Sequence, residues 1–154
     1  MRKRIDYYLG MFLVLLLAIM TMDVLWGVFT RYALGNQASW SEELARFLLI
    51  WIGILGAAYA SGQNMHLAID LLSPKLQVKS QRRLASLIRS LIILFAFGVL
   101  IIGGFRLIYV THVLGQKSPA LQIPMTIVYA AIPIAGLLVV YYKIHEFFHP
   151  IQTS

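Results

Sequence analysis

The sequence predicts an all-α integral membrane protein of four transmembrane helices, and three observations predict it. Apolar stretches at 7–31, 43–63, 84–107 and 120–142 each approach or exceed the roughly 20 residues a helix needs to cross a hydrocarbon core. Hydrophobic residues make up 60% of the chain and charged residues 12%, about half the share of about 25% typical of soluble proteins. The net charge of +7 is spread over the ends of the apolar stretches. Such spreading orients a chain in a bilayer and speaks against nucleic acid as a partner. Four spans in 154 residues leave little for a soluble domain, so residues 1–154 read as a single membrane domain.

The first span follows a basic N-terminus and the interfacial pair Tyr7 and Tyr8. Residues 7–22 and 24–30 are uncharged, interrupted by Asp23. A cleavable signal peptide is the rival, with Ala33, Leu34 and Gly35 as a loose cleavage site. The apolar stretch, however, exceeds the roughly 7–15 residues of a signal h-region, so the span is expected to be retained.

Ser41 is the expected N-cap of the second helix, with Glu42 and Glu43 in its first turn, where carboxylates suit the helix dipole. Residues 47–65 are then uncharged, and Trp40 fits an interfacial belt. Gly53 and Ala57 lie four apart, as do Gly56 and Ala60. Small residues at that spacing let helices approach closely in lipid, which makes these four the expected packing face.

Residues 62–89 form the longest polar connection. Met65, Ile69, Leu72 and Leu76 fall on one helical face, broken by Pro74, and Lys75, Lys79, Arg82 and Arg83 follow. Two readings are open: an amphipathic interfacial segment with its cations toward headgroups, or an ordinary basic loop. The third span, 84–107, is strictly uncharged only over 90–105, with Arg89 and Arg106 placed to snorkel from its ends. The fourth starts near Ser118 and Pro119, or at Pro124, and reaches Tyr142. Within it Pro133 should kink the helix.

Orientation follows from the cations. With the N-terminus inside, the inner segments hold Arg2, Lys3, Arg4, Lys75, Lys79, Arg82, Arg83 and Lys143, while the outer ends hold Arg31, Arg46, Arg106 and Lys117. The bias predicts both termini in the cytoplasm.

Little chemistry is visible. Asp23 is the only acid well inside a span. It reads either as an ion-coupling acid or as a structural acid paired with Arg46 or Arg106 from a neighbouring helix. A lone acid without a second acid, a histidine relay or a broken glycine-rich helix is poor coupling machinery, which favours the structural role. Glu42, Glu43 and Arg46 neutralise one another along a helix and also form a charged cluster where a partner could dock. No cysteine is present, and His66, His112, His145 and His149 have neither zinc spacing nor a bis-haem arrangement across the core. No phosphate-cradling glycine loop occurs. No cofactor, no metal and no catalytic residue are expected.

Arg31 and Tyr32, then 40–47 (WSEELARF), Trp51 and 56–58 (GAA), continue into His66, Ile69 and Asp70, then 118–124 (SPALQIP) and 129–133 (YAAIP). In this order the motifs resemble the small membrane subunit of tripartite ATP-independent periplasmic (TRAP) transporters, over about residues 5–145. The resemblance implies a four-helix scaffold in a bacterial inner membrane, packed against a large membrane subunit that holds the substrate pathway and sodium sites. It also implies a periplasmic binding protein that delivers an organic acid such as sialic acid or a C4-dicarboxylate. The large subunit is expected as a separate polypeptide, because the chain ends soon after span four. Arg31, Glu42, Glu43 and Arg46 are then the residues expected to face the binding protein, with Asp23 and Arg106 as structural polar groups. Two alternatives are a small proton-coupled multidrug exporter and the membrane anchor of a respiratory complex.

Overall fold

The computed structural model describes residues 2–36, 38–63 and 78–148, with side chains for 3–36, 38–63 and 86–146. Among them four helical stretches are long and apolar enough to cross a membrane. Helix α1 is Arg2–Ala33 and α2 is Ser39–Gly62. The third span is continuous but changes winding: α3 is Val78–Phe95, a π-helical stretch covers Ala96–Gly103, and α4 is Gly104–Val113. The fourth is split into α5, Met125–Tyr129, and α6, Ala131–Phe148.

Local chemistry explains the ends. Gly35 (φ 75°) and Gly115 (φ 58°) adopt the left-handed conformation that terminates helices α1 and α4. After α4 the Gln116 N–H reaches the Thr111 carbonyl at 3.1 Å and the Gly115 N–H reaches His112 at 3.1 Å, a Schellman closure. The helix α2 begins three residues earlier than the sequence suggested, at Ser39. Ala38 occupies the N-cap and supplies no side-chain bond. Ser41 is therefore inside the helix rather than capping it. The helix α3 starts at Val78, ahead of the expected residue 84, so the basic stretch 79–83 prolongs the helix beyond its apolar span, which begins at Ser86. The expected interfacial residues Met65, Ile69, Leu72 and Leu76 lie outside the described residues.

Pro133 has no N–H to give to the Tyr129 carbonyl, and its ring crowds that carbonyl. The helix breaks there, with the Ala130 N–H shared between Thr126 at 3.1 Å and Ile127 at 3.3 Å. The interruption thus lies one turn before the proline, near the start of the fourth span rather than at its middle.

Packing centres on α6. In its span 39% of the apolar window is buried, against 11–17% in the other three. Leu55 and Ala58 of α2, Ala96 of the π-helical stretch, and Ala135 and Val139 of α6 form the core. Three alanines among five core residues let the backbones come close, which is how helices gain contact where lipid gives no hydrophobic drive. The glycines at the crossings do the same. A Cβ on Gly62 would lie 2.8 Å from the Tyr142 ring, one on Gly104 2.8 Å from Pro133 Cδ, and one on Gly136 2.8 Å from Leu100. These crossings are not the face expected from the sequence. Leu55, Ala58 and Gly62 define the buried side of α2, so Gly53 and Ala57 are exposed and Gly56 and Ala60 are half-buried. A Cβ on Gly53 or Gly56 would meet nothing within 4 Å.

Candidate functional site

Charged and polar side chains gather at the two ends of the bundle. At the loop end, where 34–38 and 114–124 connect the spans, α2 presents its acidic first turns. The two adjacent carboxylates part company there. Glu43 Oε2 accepts the backbone N–H groups of Ala120 (2.9 Å) and Leu121 (2.8 Å), 77 and 78 residues along the chain. It fastens the 114–124 connection to α2. Ser118 closes that connection on itself: its N–H donates to the Ile123 carbonyl at 2.9 Å, and its Oγ accepts from the Ile123 N–H at 3.3 Å. Gln122, at φ 56°, makes the turn.

Glu42 faces the other way and accepts from Arg46 Nη2 at 3.3 Å, an i,i+4 pair about two-thirds exposed on both sides. Two clefts flank it. One of about 250 Å³ is lined by Gly27, Val28, Arg31, Tyr32, Ser41 and Glu42, among others. A second, of about 380 Å³, is lined by Ser39, Glu42, Glu43, Arg46, Pro119 and Ala120. Arg31, Glu42 and Arg46 are thus solvent-facing neighbours, whereas Glu43 is committed to the fold.

Asp23 is 7% exposed, and neither carboxylate oxygen has a hydrogen-bond partner among the described residues. The Ser41 Oγ–H donates instead to the Asp23 backbone carbonyl at 3.0 Å, which joins α1 to α2. The expected pairing with an arginine is not made within these residues, because Arg46 turns to Glu42 and Arg106 is exposed on the outer face of α4. Ionisable side chains inside a spanning helix are rare and costly, so Asp23 and Arg106, each without a partner among the described residues, are exceptional in this fold.

The opposite end, where α1 begins and α6 ends, holds a network that sequence reasoning missed. Lys143 is fully buried, and its Nζ donates to the Ser61 carbonyl at 3.1 Å and to Glu146 Oε2 at 2.9 Å. Arg89 Nε approaches the same carboxylate at 4.0 Å. Beside it the Tyr142 hydroxyl donates to Asp6 Oδ1 at 2.7 Å. Side chains or backbone from all four spans meet here. The signal available in the sequence was the i,i+3 pair Lys143 and Glu146, which had been read only as a cation at a helix end.

The sequence of this four-span chain matches a known family. The DctQ component of tripartite ATP-independent periplasmic transporters aligns with residues 20–153. The chain belongs to this family. It is 32% identical over 124 residues to a TRAP transporter small permease protein of Haemophilus influenzae, covering 80% of this chain and 75% of that protein. To the sialic acid TRAP transporter small permease protein SiaQ of Vibrio cholerae it is 26% identical over 149 residues, 97% of this chain and 84% of the other. The isethionate TRAP transporter permease protein DctMQ of Oleidesulfovibrio alaskensis matches at 32% over 104 residues, 67% of this chain and 16% of that much longer protein. The chain is a multi-pass membrane protein of a transporter-subunit family, and such subunits are not enzymes.

Proposed function

We propose that this chain is the small scaffold subunit of a sodium-coupled TRAP transporter in a bacterial inner membrane. Its large partner subunit carries the substrate pathway and a periplasmic binding protein delivers an organic acid. The observation that carries this reading is the family match across residues 20–153 on a four-span bundle. Within that bundle the buried charges near the termini serve to lock helices together. The segment DctM joined to DctQ in one of the relatives supports a large membrane partner. Relatives named for sialic acid and isethionate leave the acid itself open between several anions.

The cation bias supports an orientation with both termini in the cytoplasm and the loop end in the periplasm. Arg31, Glu42 and Arg46 are then the residues offered to the binding protein, and Glu43 holds the connection beside them. Asp23 remains a structural acid at the α1–α2 contact.

Reconstitution tests the reading. Vesicles holding this chain alone should accumulate no solute, and uptake should require this chain, its large partner and the binding protein together with a sodium gradient. Accumulation by this chain alone would overturn the scaffold role. Loss of sodium dependence on Asp23→Asn, with assembly intact, would overturn the assignment of that residue.

A further inference from the structure

The third span is the least covered of the four, with 11% of its apolar window buried, and it carries Arg106, which the fold leaves without a partner among the described residues. Arg106 is exposed and makes no hydrogen bond or ion pair among the described residues. The apolar part of the span is Ser86–Val113. At 1.5 Å per residue Arg106 lies ~10 Å from its midpoint, inside the ~15 Å half-thickness of a hydrocarbon core. Side chains on a helix set off toward its N-terminus. The Arg106 side chain therefore leaves the backbone toward the middle of the span and away from the nearer interface at Val113, a poor start for reaching phosphates there. The neighbouring surface is unusually low. Gly98 and Gly103 stand one π-turn apart, both exposed, and a Cβ on Gly98 would meet nothing within 4 Å.

We infer that this face of the third span, with Arg106 as its charged anchor, seats a helix of the large membrane subunit that bears a carboxylate at the same depth. An arginine in lipid needs an anion, and a carboxylate on an apposed helix supplies one by a bidentate, charge-assisted pair. The two open glycines give that helix room to approach. The inference rests on the scaffold reading above and adds to it a surface and a partner chemistry.

The test uses the native complex, purified through a tag on this chain. Wild-type chain should bring down the large subunit. If it does not, the scaffold reading itself fails. Arg106→Glu should lower the recovered large subunit and the uptake rate at least tenfold, Arg106→Gln should lower both, and Arg106→Lys should retain part of each. Thermal stability of the chain purified alone should not change, since the side chain holds nothing among the described residues. Restoration of assembly in Arg106→Glu by a lysine replacing an acid in a spanning helix of the large subunit would establish the pair. Full recovery of the large subunit with Arg106→Gln would overturn the inference, and so would a loss confined to co-purified phospholipid.

Discussion

The two ends of this bundle treat charge in opposite ways. At the terminal end, Lys143 and Glu146 pair with each other inside the bundle along α6, and both reach other spans, Lys143 to the Ser61 carbonyl of α2 and Glu146 to Arg89 of α3. At the loop end the ion pair of Glu42 and Arg46 stays on the surface of one helix, and Glu43 is the acid of that turn that reaches across to another segment. One end spends its charges on cohesion, and the other keeps most of them available. For a subunit proposed to brace a larger one and meet a delivery protein, that division separates the part that must hold from the part that must touch.

The comparison breaks most visibly at Glu146. Glu146→Ala leaves the Lys143 ammonium buried without its anion. Removing one partner of a buried pair destabilises by about 3–5 kcal/mol, to be read as a drop in the thermal unfolding midpoint of the detergent-solubilised protein. The double variant Lys143→Met with Glu146→Gln should recover more than half of that loss, because no uncompensated charge remains. If the double variant were as unstable as the single one, the network would owe its worth to packing and not to charge balance.

Glu43→Ala should come next. It strands two backbone donors, of which that of Leu121 is partly buried, and hydrogen bonds to a charged group are worth about 1.5–3 kcal/mol. The 114–124 connection should become the first site of proteolytic cleavage, while the terminal end keeps its protection.

How far these features were legible differs with the range over which they are built. The four spans were readable because apolar length is a local property. The helix break was readable in cause, since Pro133 removes a donor wherever it sits, but its place one turn upstream follows from where the ring meets a carbonyl. The π-helical winding at Ala96–Gly103 gave no sequence signal that was used, although Gly98, Gly103 and Gly104 lie in or beside it. Glu42 and Glu43 could not be told apart, as both suit a first turn, and their separation depends on a loop some 77 residues away. Lys143 meets a carbonyl 82 residues distant, and no periodicity encodes that.

The glycines sharpen this lesson, because the small residues at four-residue spacing on α2 are not the ones at its crossings with the other described helices. Gly62→Ala and Gly136→Ala place a methyl against the Tyr142 ring and against Leu100 and Ile101. Overpacking of this kind costs about 1–3 kcal/mol. Gly53→Ala meets open space and should stabilise by about 0.5–1 kcal/mol, since alanine loses less backbone entropy in a helix. Opposite signs of the midpoint shift are expected, and equal signs would mean that Gly53 is packed as tightly as the crossing glycines.

The smallest effect on stability is expected at the pair of Glu42 and Arg46. An exposed i,i+4 pair contributes about 0.3–0.5 kcal/mol before screening, and two-thirds exposure at both partners brings it toward the lower limit. Glu42→Gln should therefore leave the unfolding midpoint nearly unchanged. That neutrality makes the residue a clean probe of docking. If the loop end receives the binding protein, charge reversal at Arg46 should slow association, and the defect should shrink as salt rises and screening shortens the reach of surface charges. An association rate unaffected at low ionic strength would show that the exposed charges of the loop end are solvated surface, and the contrast between the two ends would then reduce to one of burial alone.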